Sequence, residues 1–227
     1  MTRRRRLIIE LVCGAAIGAA LALFRYRGLA GLPFLHVDHA LTLLWEFRLA
    51  ALAWVAFSVY WEIAGRNAAK ARKTESSASR GVHVFLANAA LLLTIAPIYG
   101  LGRLLPLSVA VMTAGLAVEA LGLCLTIWAR RHLGRNWSGE ISIKVDHELI
   151  RSGPYRLLRH PIYTGLLTMY VGTALVTGEW LAVVGVAAAL IAYWRKIRLE
   201  EANLNAAFAG EYDAYRRATW ALVPGVY

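Results

Sequence analysis

Imidazole, guanidinium, phenol and carboxylate groups crowd residues 147–165: His147 and Glu148, then Arg151, Tyr155, Arg156, Arg159, His160 and Tyr163. This segment runs straight into an apolar stretch, and polar groups at the mouth of a membrane span are costly unless something binds there. These residues are therefore the first place to look for a ligand site. Pro161 suits an early helical position, where its missing N–H costs little, and the free N–H groups of such an entrance attract anions. Glu200 and Glu201 lie further on, about three residues past another apolar run, where carboxylates need basic or hydrogen-bonding partners. Lys196 and Glu200 are four apart, and Arg198 and Glu201 three apart, so each pair shares a helix face. Solvated ion pairs of little energetic worth would show the same spacing. Taken together, His147, Tyr155, His160 and Glu200 suit the polar head of an amphipathic ligand whose apolar portion runs between helices.

The elements that must position these groups are apolar runs at 7–24, 49–64, 82–100, 104–129, 161–177 and 180–197. Crossing ~30 Å of hydrocarbon takes about 20 helical residues, so the runs at 49–64 and 161–177 must borrow from their flanks. The expected fold is all-α and polytopic, with about six transmembrane helices. Beyond residue 197, Leu199, Leu204, Ala207 and Phe208 alternate with Glu200, Glu201, Asn203, Asn205, Glu211 and Asp213. That pattern predicts an amphipathic helix continuing or following the sixth span, with Tyr212 and Tyr215 as an interfacial aromatic face.

The chain is 59% apolar yet carries a formal charge of +11, a pairing unusual in a compact soluble domain. Arg3, Arg4, Arg5 and Arg6 precede the first run. Further Lys and Arg residues fill 66–80, 130–159 and 195–217, while the alternate connections are poorer in them. This asymmetry places both termini and both large basic loops in the cytoplasm, in the inner membrane if the host is bacterial. Because the charges sit at span borders, they argue for topology and anionic headgroups and against nucleic acid as a partner. Cys13 and Cys124 lie inside apolar runs as packing residues, without the close spacing of a metal site. Gly14, Gly18, Gly115 and Gly122 permit close helix packing within or between subunits, which leaves the oligomeric state open.

Polar chemistry divides the chain into an anchor, 1–128, and a site-bearing part, 129–227. Within the anchor, 66–80 reads as a solvated loop without chemistry. In the second part, residues 141–145 alternate weakly, as a short extended piece would.

Gly153-Pro154-Tyr155 and Arg159-His160-Pro161-Ile162-Tyr163-Thr164-Gly165, preceded by His147-Glu148-Leu149-Ile150, resemble the isoprenylcysteine carboxyl methyltransferases and related phospholipid methyltransferases. Downstream, Glu200-Glu201, Phe208, Glu211-Tyr212, Tyr215-Arg216-Arg217 and Val223-Pro224 are similar to the same family's C-terminal signature. The resemblance covers roughly 130–224. It implies an integral membrane enzyme that moves a methyl group from S-adenosylmethionine to a lipophilic or lipidated acceptor entering from the bilayer. By position, the family's cofactor contacts fall on His147, Glu148, Leu149, Ile150, Tyr155, His160, Pro161, Ile162, Tyr163, Glu200 and Glu201. Glu140 stands where the prenylcysteine enzymes place another cofactor contact, usually an amide. The family's substrate-facing base, commonly arginine, is Lys196 here, with Arg195 and Arg198 adjacent to supply a fork.

The residues suit that chemistry. A sulfonium cation needs a carboxylate or aromatic face, which Glu200, Tyr155 and Tyr163 offer. A carboxylate acceptor is already nucleophilic at neutral pH, whereas an amine or thiol would need a base. O-methylation is therefore preferred over N-methylation of a phospholipid amine or S-methylation of a thiol. A nicotinamide-dependent membrane reductase and a non-enzymatic transporter are the alternatives of other classes.

Overall fold

A computed structural model describes residues 45–66, 71–95, 102–106, 108–137, 142–144 and 148–226. The expected first span at 7–24, together with Gly14 and Gly18, lies outside the described residues. The element order is α1 (Trp45–Gly65), β1 (Ala71–Thr74), α2 (Ser77–Ile95), α3 (Val109–Leu133), β2 (Ser142–Lys144), α4 (Pro161–Thr177) and α5 (Trp180–Ala218). Short 3₁₀ turns occupy Gly134–Asn136 and Gly153–Arg156. The helices α1, α2, α3 and α5 are each long and apolar enough to cross a membrane. α4 has 17 residues, about 26 Å at 1.5 Å per residue, and packs between its neighbours. The protein is a polytopic helical membrane protein.

Each helix reflects its local sequence. α1 borrows Trp45–Phe47 to reach 21 residues, and α4 begins at Pro161, in the first-turn position where no N–H is needed. Gly178 closes α4 in the left-handed conformation, φ +66°, and its N–H bonds the Ala174 carbonyl. Leu104 and Leu105 both donate to the Gly178 carbonyl, tying the short loop before α3 to the α4–α5 turn.

The α3–α4 seam rests on glycines spaced by seven on both antiparallel helices. Gly115 faces Gly172 and Gly122 faces Gly165. A Cβ on Gly165 would stand 2.6 Å from the Gly122 carbonyl oxygen and 2.3 Å from Thr126 Oγ1, so the backbones meet where any side chain would hold them apart. Gly115 and Gly122 thus serve packing within one subunit. Beside this seam, Glu119 accepts a hydrogen bond from Thr173 at 3.2 Å, and Trp54 Nε1 donates to the same threonine hydroxyl at 2.9 Å. A three-helix polar knot of α1, α3 and α4 results, within an otherwise apolar core of Phe47, Met112, Met169, Tyr170 and Val176.

The 66–80 connection departs from expectation. β1 pairs antiparallel with β2, Ala71 opposite Lys144 and Thr74 opposite Ser142. Ser79 then accepts hydrogen bonds from Arg195. Pairing satisfies backbone groups that a lone loop would leave to water. The short extended piece expected at 141–145 is the partner strand.

α5 runs for 39 residues, about 58 Å, roughly twice the hydrocarbon thickness. Its first 18 residues or so fill the membrane; the rest, from about Leu199, stands beyond it. Ala209, at φ +32°, breaks the helix between the stem and the segment 210–218.

Candidate active site

One end of the bundle gathers the C-terminus of α3, the N-terminus of α4, the extramembrane part of α5 and the strand that follows it. Residues 157–160 enter α4 with extended or irregular backbone, and residues 219–222 lie parallel beside them. Trp220 N–H donates to the Leu157 carbonyl at 3.2 Å, Arg159 N–H to Trp220 at 2.8 Å, and His160 N–H to Ala221 at 3.1 Å. Thr164 Oγ1 donates to the Leu222 carbonyl at 2.7 Å, and the Tyr215 hydroxyl to the Tyr155 carbonyl at 2.7 Å. Arg151 pairs with Glu211 and lies over the Tyr215 ring. Tyr212 and Tyr215 are consequently buried, 1% and 6% exposed, and do not form the interfacial face expected of them. They fill the space beneath the 153–159 loop, whose Tyr155 carbonyl accepts the Tyr215 hydroxyl.

Within this frame the side chains converge. Tyr163 Oη donates to Glu200 Oε1 at 2.5 Å. His160 places Nδ1 3.7 Å from Glu200 Oε2 and Nε2 3.2 Å from Glu201 Oε1. Arg159 Nε donates to Glu201 Oε1 at 2.8 Å, and its Nη1 reaches the carbonyls of Arg216 and Thr219. Burial pushes the Glu201 carboxyl up, but hydrogen bonds from His160 and Arg159, with the Arg159 charge, outweigh it and hold the group at about 2. An ionised carboxylate only accepts, so His160 Nε2 carries the proton in this contact. Burial, with the nearby Glu200 charge, lifts the Tyr155 phenol well above its usual range and keeps it neutral. The anion that the α4 entrance attracts is thus supplied by the protein's own acids.

The two glutamates differ in what they have left to offer. Glu201 is enclosed by Arg159 and His160, with Arg216 3.9 Å from its second oxygen. Glu200 is more open, its side chain 21% exposed, with spare acceptor capacity beyond the Tyr163 bond. Stacked rings extend inward from it: His160 on Tyr163 at 5.7 Å and Tyr163 on Tyr193 at 5.2 Å, with Tyr170 edge-on beyond.

The structure brings together Tyr155, His160, Tyr163, Glu200 and Glu201 of the residues expected from sequence. Pro161 and Ile162 are buried at the start of α4, and Lys196 is buried on α5 one turn before Glu200. Glu148 is exposed, its N–H donating to Asn136 Oδ1 at 3.4 Å, while Leu149 and Ile150 are half-buried. Arg195 turns to Ser79 on α2, at 3.0 Å from its hydroxyl, so its fork is spent on helix packing. Glu140 and His147 lie outside the described residues. The sequence placed Arg159 at an anion-attracting helix entrance but not as the clasp that joins α5 to the chain beyond it, and it gave no role to Tyr193, which was indistinguishable from core inside an apolar run. The proximity of Arg159 to a histidine at a helix entrance was the available signal for the first.

Comparison with known proteins bears on this arrangement. The phospholipid methyltransferase family profile matches residues 110–211. A probable protein-S-isoprenylcysteine O-methyltransferase from Oryza sativa subsp. indica is 33% identical over 113 residues, 48% of this chain and 59% of that protein. The Schizosaccharomyces pombe protein-S-isoprenylcysteine O-methyltransferase is 29% identical over 115 residues, 49% of each chain. The cobalt-zinc-cadmium resistance protein CzcN of Cupriavidus metallidurans is 40% identical over 95 residues, 40% of this chain and 43% of that one. These matches span between about two fifths and three fifths of the curated relatives' lengths. The solved structure of a eukaryotic intramembrane Ras methyltransferase, an isoprenylcysteine carboxyl methyltransferase, shares the fold at a TM-score of 0.53 and 17% identity, over 100% of this chain and 88% of its own. Residues 110–211, which carry α3, α4 and most of α5 with the converging acids, are thus similar to the phospholipid methyltransferase family, and the chain as a whole shares the fold of an intramembrane methyltransferase.

Proposed function

We propose that this protein is a membrane-embedded methyltransferase that uses S-adenosylmethionine to methylate a lipophilic acceptor, with a carboxylate of the prenylcysteine type as the favoured acceptor class. The observation that carries the reading is the junction of Glu200, Tyr163, His160 and Tyr155 at the membrane boundary, where an open carboxylate faces a stack of aromatic rings. Such a donor set fits a ligand that bears an ammonium and a sulfonium. When bound, S-adenosylmethionine supplies an electrophilic methyl carbon.

Glu200, held in one rotamer by the Tyr163 hydroxyl, would anchor the cation, and Tyr155, neutral at any physiological pH, would bound the cleft without adding charge. Lys196, buried one turn before Glu200, would meet an anionic acceptor arriving from the bilayer side. Transfer of methyl to a carboxylate oxygen breaks a C–S bond and forms a C–O bond. No proton moves and no base is required. Alignment of two reactants can supply ~7–11 kcal/mol, so rigid positioning is the main task of these residues. The positive-inside asymmetry supports placing this end of the bundle in the cytoplasm.

Titration calorimetry on detergent-purified protein with S-adenosylhomocysteine tests the cofactor: micromolar binding is expected, and its absence across several detergents would reject the reading. Radiolabelled methyl transfer into a total lipid extract, followed by mass spectrometry of the labelled product, tests the acceptor. A base-stable amine or thioether product would displace the carboxylate in favour of the other two acceptor classes.

A further inference from the structure

A second polar feature lies around the corner of α5 from Glu200. Arg198, Glu201, Ala202, Asn205, Tyr212 and Arg216 line a cleft of about 290 Å³. Residues 198, 201, 202 and 205 share one side of the helix, while Tyr193, Lys196 and Glu200 share another, so the cleft is distinct from the junction assigned to methyl transfer. Its charge is net positive. Glu201 is already countered by Arg159 and His160 from behind, and Arg216, though 3.9 Å from its second oxygen, keeps a side chain 57% exposed that lines the opening with Arg198. The Tyr212 hydroxyl is buried near Glu201 without a hydrogen bond of ordinary geometry. Two guanidiniums, an amide and a phenol suit a phosphate better than a carboxylate, because a phosphate offers more oxygens to a divergent donor set.

Depth identifies the source of that phosphate. Arg198 lies 18 residues after Trp180, about 27 Å along the helix, where the hydrocarbon gives way to headgroups. Toward the membrane, the same side of α5 continues through Trp194, Ile191, Ala187 and Val184, each three or four residues from the next and each exposed, Ile191 by 65%. A lipid-facing apolar stripe thus leads directly into a basic cleft at headgroup level. We propose that this cleft binds the phosphate of an anionic phospholipid whose acyl chains lie along the stripe. Basic pockets at the ends of membrane helices are suited to such headgroups. The site goes beyond the proposed methyl transfer and does not depend on it.

Native mass spectrometry of the full chain with phosphatidylglycerol, phosphatidylcholine and phosphatidylethanolamine tests the assignment. Phosphatidylglycerol is expected to bind at least tenfold more tightly than either zwitterionic lipid. The R198Q/R216Q double variant should lose at least tenfold of that affinity, whereas R217Q, altering a neighbouring arginine that does not line the cleft, should lose less than threefold. In the unaltered chain, a photoactivatable phosphatidylglycerol should label residues 191–216, which keeps the test decisive if the double variant does not fold. Equal binding of all three lipids, equal loss in R217Q, labelling elsewhere, or full displacement by millimolar inorganic phosphate would each overturn the proposal, the last by showing a site for a soluble anion.

Discussion

Glu119 and Glu201 are both buried carboxyls, 0% and 7% exposed, but their surroundings differ. Glu119 stands inside the bundle with one hydrogen bond, from Thr173, and its second oxygen finds no hydrogen-bonding partner among the described residues. Glu201 stands at the boundary, held by Arg159 and His160 and approached by Arg216. An uncompensated charge in hydrocarbon is expensive, so an acid at depth serves as a polar knot between helices. An acid at the boundary can remain charged if cations enclose it, and its neighbour Glu200 can then be left open for a ligand. The contrast shows how one bundle holds the same side chain as a polar knot at one depth and as a charged group enclosed by cations at another.

Removing the cation that encloses Glu201 should have the largest effect. Arg159→Ala leaves a buried carboxylate short of its main partner and is expected to cost about 3–5 kcal/mol of stability. Limited proteolysis should then cut within 219–226 far faster than in the unaltered protein, and an unchanged cleavage rate would refute the clasp. The acid pH limb comes next. The Glu201 carboxyl is held at about 2 against an ordinary 4.5, so its stabilisation is complete above about pH 5 and is lost as pH falls toward 2. Chemical denaturation between pH 7 and 3 should show the slope, and Glu201→Gln should flatten it.

Glu200→Gln should lower methyl transfer at least 100-fold, about 2.7 kcal/mol, while the protein still purifies as a monodisperse species. Near-normal turnover in this variant would remove Glu200 from the site. The smallest effect belongs to the deep acid: Glu119→Gln keeps the shape and a hydrogen bond to Thr173 and should shift stability by no more than about 1 kcal/mol, with turnover within twofold. A large loss of turnover there would erase the distinction between the two depths.

Much of the bundle was legible because bilayer thickness imposes length: the runs at 49–64, 161–177 and 180–197 each fall on a helix, the run at 104–129 does so from Val109 on, and Pro161 marks a start. The side that each helix buries was not legible. Periodicity separates core from water, and a helix in lipid is apolar on both sides. The signal that survives there is the repeat of small residues, Gly115 with Gly122 and Gly165 with Gly172, and pairing these across the two spans would have found the seam. The meeting of His160 with Glu200 followed from the order of two motifs. The enclosure of Glu201 by Arg159, 42 residues apart, and the backbone pairing of Leu158 with Trp220, further apart still, are contacts that local pattern cannot report.

That pairing sets the timetable of assembly. Residues 219–222 leave the ribosome after all five described helices, so until then the backbone N–H groups of Arg159 and His160 await the carbonyls of Trp220 and Ala221. The translocon can seat every described helix before this corner exists. A nascent chain stalled short of this point would be threaded into the membrane with that corner still open.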